Sequence, residues 1–229
     1  MPIYQLIDEL IFPPRDHAEA GGLLAVGGDL SPRRLLLAYS MGIFPWFSEG
    51  DPILWWTPDP RCILRPSEFR INRSLAKELK RGRFRITFDQ AFSDVMRACA
   101  RTPRKEGPGT WITDAMLTAY VLLHSLGYAH SVECWFDGCL VGGVYGVSLG
   151  GCFFGESMFH QMPNASKAAF ATLVTHLMEL GYQLIDCQQP SRHLIAMGAR
   201  QISRKEFFQL LEAAGVRPST LPPKGAFPV

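Results

Sequence analysis

The segment LIDCQQP, residues 184–190, reads as a buried strand that ends in a carboxylate, a thiol and an amide. Side chains alternate faces along a strand, so Asp186 and Gln188 are expected to project together while Cys187 points the other way. No Ser, His or metal ligand stands next to them, and a strand end that simply turns polar as it reaches solvent would look the same. A second carboxylate, Glu156, lies in CFFGESMF, a strand otherwise made of Cys, Phe, Gly, Ser and Met. A charge there is costly unless it is partnered or lines a cleft. Trp46 in FPWFS and Trp111 in GPGTWIT are the large aromatics in the least regular places. Loop aromatics can stack a nucleobase, for about 1–3 kcal/mol per base, or plug a seam between domains.

Several other chemistries find no footing. None of the six histidines makes an HxxxH or HExxH pair, so no metal site is expected. Neither a phosphate-binding P-loop nor a serine-hydrolase elbow is expected. The cysteines at 62, 99, 134, 139, 152 and 187 have no CxxC spacing, and most lie in apolar segments, so all six read as structural thiols. A two-residue hairpin at Asp137-Gly138 would set Cys134 opposite Val141 rather than Cys139.

At 229 residues and 47% hydrophobic the chain is long enough for a sizeable core. A net charge of +2 announces no nucleic-acid binder by itself. Its distribution is uneven: between Arg61 and Lys105 stand thirteen Lys or Arg against four Asp or Glu, over half of the 23 basic residues. Such a patch suits phosphate contacts that position a ligand without reading its sequence, although a solvated surface is the plain alternative. The segment MPIYQLIDELIFPPRDH has no basic region leading into an apolar run, and no stretch approaches the roughly 18 to 20 apolar residues of a membrane helix. A cytoplasmic protein without membrane contact is expected.

Composition divides the chain near residue 62, into a small domain at 1–62 and a larger one at 63–229. In the first, Ser31 caps a helix, Pro32 takes its first turn and Gly42 ends it. GIFPWFSEGDPILWWTPDP, with three Trp and four Pro, reads as a packed loop too irregular for sheet. From residue 84 the pattern is α+β: the strand FRITF, helices over DQAFSDVMRACA and TDAMLTAYVLLHSLG, and an antiparallel meander of AHSVECWF, CLVGGVYGVS and CFFGESMF. The long helix SKAAFATLVTHLMELG, the returning strand QLIDCQQ and a helix with the capping box Ser203 to Glu206 follow. This order is that of GCN5-related acyltransferases, with a mostly antiparallel sheet. The stretch HQMPNASKAA, where those enzymes carry a Gly-rich loop for the CoA pyrophosphate, has no glycine, so a CoA donor is not expected.

GGLLAVGGDLSPRRLLLAYSMGIFPWFS, DPILWWTPDPR, GTWIT, AHSVECW, LVGGVYGV, FFGESMF, NASK and LIDCQ together resemble the leucyl/phenylalanyl-tRNA–protein transferase family, over about residues 21 to 188. The resemblance implies a small N-terminal domain joined to a GCN5-related domain. It implies transfer of Leu or Phe from aminoacyl-tRNA to the α-amino group of proteins that begin with Arg or Lys, marking them for N-end-rule degradation, with no cofactor.

An aminoacyl ester is already activated, and an α-amine with pKa about 7.7 to 8.0 is already a nucleophile. The enzyme therefore has to orient the amine, accept its protons and stabilise the tetrahedral intermediate. By the resemblance Asp186 polarises the side-chain amide of Gln188, whose carbonyl holds the amine, and Glu156 with Asp186 offers negative charge to the cationic substrate. Trp46 and Trp111 match the aromatics that grip the terminal adenosine. By the same resemblance Phe153, Gly155 and Ile185 match positions around the amino-acid pocket, and Val144, Leu173 and Leu177 fall where pocket-lining residues are expected, positions that bulkier Met or Phe can occupy in relatives. A roomier pocket would shift preference among Leu, Phe and Met. A CoA-dependent N-acetyltransferase and a non-catalytic tRNA or N-degron binding module are the rival readings.

Overall fold

The computed structural model describes residues 3–102 and 111–227. The first part of the chain builds a four-stranded sheet from β1 (Tyr4–Leu6), β2 (Leu23–Gly27), β3 (Phe44–Pro45) and β4 (Leu54–Trp56), in the order β1-β2-β4-β3. Helix α1 (Pro32–Ser40) begins as the sequence predicts, with the Ser31 hydroxyl accepting the Arg34 N–H at 3.4 Å, and Gly42 past its end adopts φ +73°. The Trp-rich segment expected to be a loop departs from that expectation, because it contributes both β3 and β4. Pro45 is tolerated because β3 is the edge strand, and Trp55 turns fully inward with its indole N–H on the Gly27 carbonyl at 2.8 Å.

A seven-stranded sheet follows from β5 (Arg61–Leu64), β6 (Arg85–Phe88), β7 (Ala129–Phe136), β8 (Cys139–Leu149), β9 (Cys152–His160), β10 (Leu184–Gln188) and β11 (Arg200–Ile202), in the order β11-β5-β10-β9-β8-β7-β6. Every neighbouring pair is antiparallel except β9 and β10. The helices are α2 (Arg73–Lys80), α3 (Phe92–Arg101), α4 (Asp114–Ser125), α5 (Ala165–Glu179), α6 (Arg192–Ala196) and α7 (Arg204–Ala213). The α3–α4 pair, the meander β7-β8-β9, the long α5 and the returning β10 stand in the predicted order, and the fold is α+β.

Two apolar clusters divide between the faces of the large sheet. One joins α1, α3, α4, α7 and Trp55 to Tyr145, Val147, Phe154 and Leu184. The other joins α5 to Val132, Val144, Phe153 and Ile185. Alternation along β9 and β10 explains the split, since Phe153 and Phe154, like Leu184 and Ile185, point to opposite faces.

The β7–β8 turn has the left-handed Asp137 and Gly138 of a type I′ hairpin, as the Asp-Gly pair predicts. The register beyond it differs from expectation: Cys134 lies opposite Gly142, not Val141, because a bulge between Cys134 and Trp135 takes up one residue.

Candidate active site

The parallel β9–β10 pairing stops early. Leu184, Ile185 and Asp186 pair with Cys152, Phe153 and Phe154, after which β9 continues along β8 alone and β10 continues along β5 alone. The sheet therefore opens into a wedge at the carboxyl ends of these two strands. Gly155 and Glu156 stand on one lip, Asp186 and Gln188 on the other. A Cβ at Gly155 would meet only the Asp186 carbonyl oxygen, at 3.6 Å, so this lip is not packed shut.

Both lips are irregular. Tyr145 pairs with Ser157 and Gly146 with Gly155, leaving Glu156 as the extra residue of a bulge that re-aims its side chain. On β10 the register shifts between Asp186 and Gln188, and Gln188 has φ +52°, in the left-handed region.

Strict alternation therefore misplaces the Asp186–Gln188 pair. Asp186 is fully buried and gripped by Arg61, with Nε–Oδ1 at 2.8 Å and Nη2–Oδ2 at 2.6 Å. Its Oδ1 also accepts the backbone N–H of Gln188 at 3.0 Å, which ties the turn in place. The Gln188 side-chain amide instead donates from Nε2 to Glu156 Oε1, at 3.5 Å. Two expectations change. Asp186 holds the backbone of Gln188 rather than polarising its side chain, and its charge is matched by a buried guanidinium rather than offered to a cationic substrate.

Glu156 carries the unusual electrostatics. Burial of the carboxyl and the negative charge of Asp186 push its pKa up to about 8, against hydrogen bonds from Tyr39 and Tyr120 and the opposing charge of Arg61. Tyr120 donates to Glu156 Oε2 at 3.4 Å, and the Tyr39 and Tyr120 hydroxyls hydrogen-bond each other. Both phenols are fully buried and held well above their usual pKa, first by desolvation and then by the Glu156 charge. The result is a chain of three ionisable groups leading from the wedge into the first cluster.

Arg61, Tyr39 and Tyr120 are the site residues that sequence reasoning missed. Arg61 is the first residue of the presumed phosphate-binding stretch, yet it is 1% exposed, with its guanidinium over the rings of Phe44 and Phe207. It belongs to the site and not to the surface patch. Tyr39 sits inside LLLAYS and Tyr120 inside TAYVLL, where both read as core.

The expected pocket residues gather on the other face. Val144, Phe153, Leu173, Leu177 and Ile185 belong to one buried cluster between α5 and the sheet. Gly146 makes room for it, since a Cβ there would sit 2.6 Å from the Phe153 ring. Trp46 is 42% exposed just after β3, edge-on to Trp56 with ring centres 5.7 Å apart. Trp111 lies partly buried against the first cluster, just before the Thr113 cap of α4. The residues before Trp111 in GTWIT, and Arg104 and Lys105 of the basic stretch, lie outside the described residues.

The thiols of Cys62 and Cys187 hydrogen-bond each other on facing strands, and all six cysteines are free. Residues 146–150, GVSLG, have the form GxSxG, but they make no elbow. Ser148 is fully buried within β8, with its Oγ 2.5 Å from the Tyr182 hydroxyl. Among the described residues no group of three or more His, Cys, Asp or Glu is placed to hold a metal ion, and no helix is long and apolar enough to cross a membrane.

Comparison with known families decides what this wedge belongs to. Residues 63–212 match the family model for leucyl/phenylalanyl-tRNA protein transferase, and residues 28–59 match the model for the N-terminal domain of the same enzymes. The chain belongs to the leucyl/phenylalanyl-tRNA protein transferase family. It is 78% identical over 228 residues to the leucyl/phenylalanyl-tRNA protein transferase of Syntrophotalea carbinolica, covering 100% of this chain and 99% of that one. It is 57% identical over 211 residues to the transferase of Syntrophobacter fumaroxidans, covering 92% and 90%. Among solved structures it is similar to L-PGS from Bacillus licheniformis, at 14% identity and TM-score 0.41, over 76% of this chain and 59% of that one. Tyr39 lies within the first matched segment and Tyr120, Glu156 and Asp186 within the second, while Arg61 stands between the two and falls within the 228 residues aligned to the Syntrophotalea relative.

Proposed function

We propose that the chain is an aminoacyltransferase that moves Leu or Phe, and Met as a further donor, from aminoacyl-tRNA to the α-amino group of proteins beginning with Arg or Lys, marking them for N-end-rule degradation. The observation that carries this reading is Glu156. Its carboxyl stands across the wedge from Gln188, with Oε1 3.5 Å from Nε2, and burial pushes its pKa up to about 8, into the range where an α-amine also titrates.

The neutral amine attacks the ester carbonyl and forms the C–N bond. The Glu156 carboxylate takes the proton released from nitrogen, and the same carboxylic acid returns it to the ribose oxygen as the C–O bond breaks. Gln188 positions the amine. Arg61 and Asp186 hold the Gln188 turn, which makes them positioning residues. Tyr120, hydrogen-bonded to Glu156, steadies the carboxylate when it is charged. Trp46 and Trp111 receive the terminal adenosine, while Val144, Phe153, Gly155, Leu173, Leu177 and Ile185 surround the amino-acid side chain. The predominantly apolar cluster on that face supports a preference for Leu and Phe, whose side chains bury apolar area and carry no polar group to satisfy.

Acceptor selectivity tests this reading. With Leu-charged tRNA, peptides beginning with Arg or Lys are expected to gain one leucyl residue. Peptides beginning with Ala, and an Arg peptide with its α-nitrogen acetylated, are expected to remain unchanged. Equal transfer to the Ala peptide would overturn the proposed acceptor.

A further inference from the structure

The chain beyond α7 matches no motif, yet it is built onto the large sheet. The Tyr128 hydroxyl donates to the Pro222 carbonyl at 3.2 Å, the Gly150 N–H to the Pro223 carbonyl at 2.9 Å, and Leu149 bridges to Lys224. Gly225 then passes so close to the sheet that a Cβ would lie 1.9 Å from Ser148 Oγ and 2.1 Å from the Tyr182 hydroxyl oxygen, a passage open only to glycine. This crossing delivers Phe227, 7% exposed, into the cluster between α5 and the sheet. Its ring stacks on His130, with centres 4.2 Å apart at 20°, and on Phe153, 6.0 Å apart at 25°. Phe88 and His176 close the sides, at 5.9 and 6.1 Å.

Phe153 is thus held with its edge toward Gly146 and its face on Phe227. We propose that Phe227 is a specificity-determining positioning residue: by backing Phe153 it fixes the depth of the pocket that receives the donor's amino-acid side chain. The inference rests on the assignment of that pocket under Proposed function. Interiors are close-packed, so removing the Phe227 ring leaves space into which Phe153 can retreat. The pocket then deepens and favours the longer Phe side chain over Leu.

The test is steady-state transfer to an Arg-starting peptide by the full chain, with tRNA charged with Leu or with Phe, for the wild type, Phe227→Ala and Phe227→Leu. One missing or added methylene changes selection about 10- to 200-fold when the contact is direct. Acting through Phe153, Phe227→Ala is expected to raise the Phe-over-Leu ratio of kcat/KM by about 3- to 10-fold. The change should come through the donor KM, with kcat and the peptide KM little altered. Phe227→Leu should move the ratio the same way by less, and it decides the matter if the Ala variant does not fold. On a Phe153→Leu background the Phe227→Ala effect should largely vanish. A folded variant with the wild-type ratio, or equal losses with both donors, overturns the inference. A wild type that transfers neither amino acid overturns the proposed function and this inference with it.

Discussion

In the proposed reaction Glu156 works as a base only after it loses its proton, and burial pushes its pKa up to about 8. The attacking amine deprotonates in the same range, at about 7.7–8.0. Below pH 7 the logarithm of kcat/KM is therefore expected to rise with a slope near 2, one unit from each group, and to level off above pH 8.5. Glu156→Gln should lower the rate about 10²- to 10⁴-fold and leave a slope near 1 from the amine alone. Stability moves in the opposite sense. The folded protein keeps this proton up to about pH 8, whereas the unfolded chain releases it near the ordinary glutamate value, so stability falls as pH rises between the two. Thermal melts of wild type and Glu156→Gln across that window should differ in slope accordingly.

Asp186 and Arg61 make a separate case, because a buried pair that loses one member leaves an uncompensated charge. Asp186→Ala and Arg61→Ala are each expected to cost about 3–5 kcal/mol in denaturant unfolding. The double change Arg61→Met with Asp186→Leu should recover most of that stability without recovering transfer. Recovery of both would remove the pair from the positioning of Gln188. This pair was not legible in the sequence, since its members stand 125 positions apart and Arg61 opens a run of surface cations. Tyr39 and Tyr120 were hidden for a related reason, since each occupies an apolar stripe of a helix and only the packing of α1 on α4 brings the hydroxyls together.

Elements whose signals are local were the readable ones. Ser31, Thr113 and Ser203 each accept the N–H three residues on, as capping predicts, and Asp137-Gly138 makes the expected tight turn. Bulges were not readable. Those at Glu156 and at Asp186/Gln188 exist because β9 and β10 part company, a property of the sheet and not of either strand alone. The strands β3 and β4 were masked by their prolines. Helix α2 also went unread inside the basic stretch, though Asn72 caps it and Leu75 and Glu78 are buried on one side.

The outer side of α2 carries Arg73, Lys77 and Lys80, spaced to share a face and all exposed. Glu78 is taken by Arg81 and Arg83, so it does not neutralise them. If this face meets tRNA phosphates, replacing Lys77 and Lys80 by Glu should weaken charged-tRNA binding and flatten its salt dependence by about two units of log–log slope. An unchanged slope would place the tRNA elsewhere.

The two faces of the large sheet divide the labour of the proposed reaction. The proposed base Glu156 lies with the first cluster, beside the phenols Tyr120 and Tyr39, the apolar residues assigned to the pocket lie with α5, and the wedge between β9 and β10 lies between the two sides. A donor carbonyl in the wedge would have its side chain on one face and its attacking amine on the other. Nothing in this layout needs an enzyme-bound acyl intermediate, because the ester arrives activated on tRNA and the nucleophile arrives on the acceptor. The proposed transfer is therefore direct. The measurement that tests it most directly is the mass of an Arg-starting peptide after incubation with the protein and tRNA charged with isotopically labelled Leu, with acetyl-CoA offered in a parallel reaction. The expected result is one labelled leucyl residue joined by an amide to the peptide's α-nitrogen, and no acetyl product. An unmodified peptide with charged tRNA, together with an acetylated one from acetyl-CoA, would contradict it.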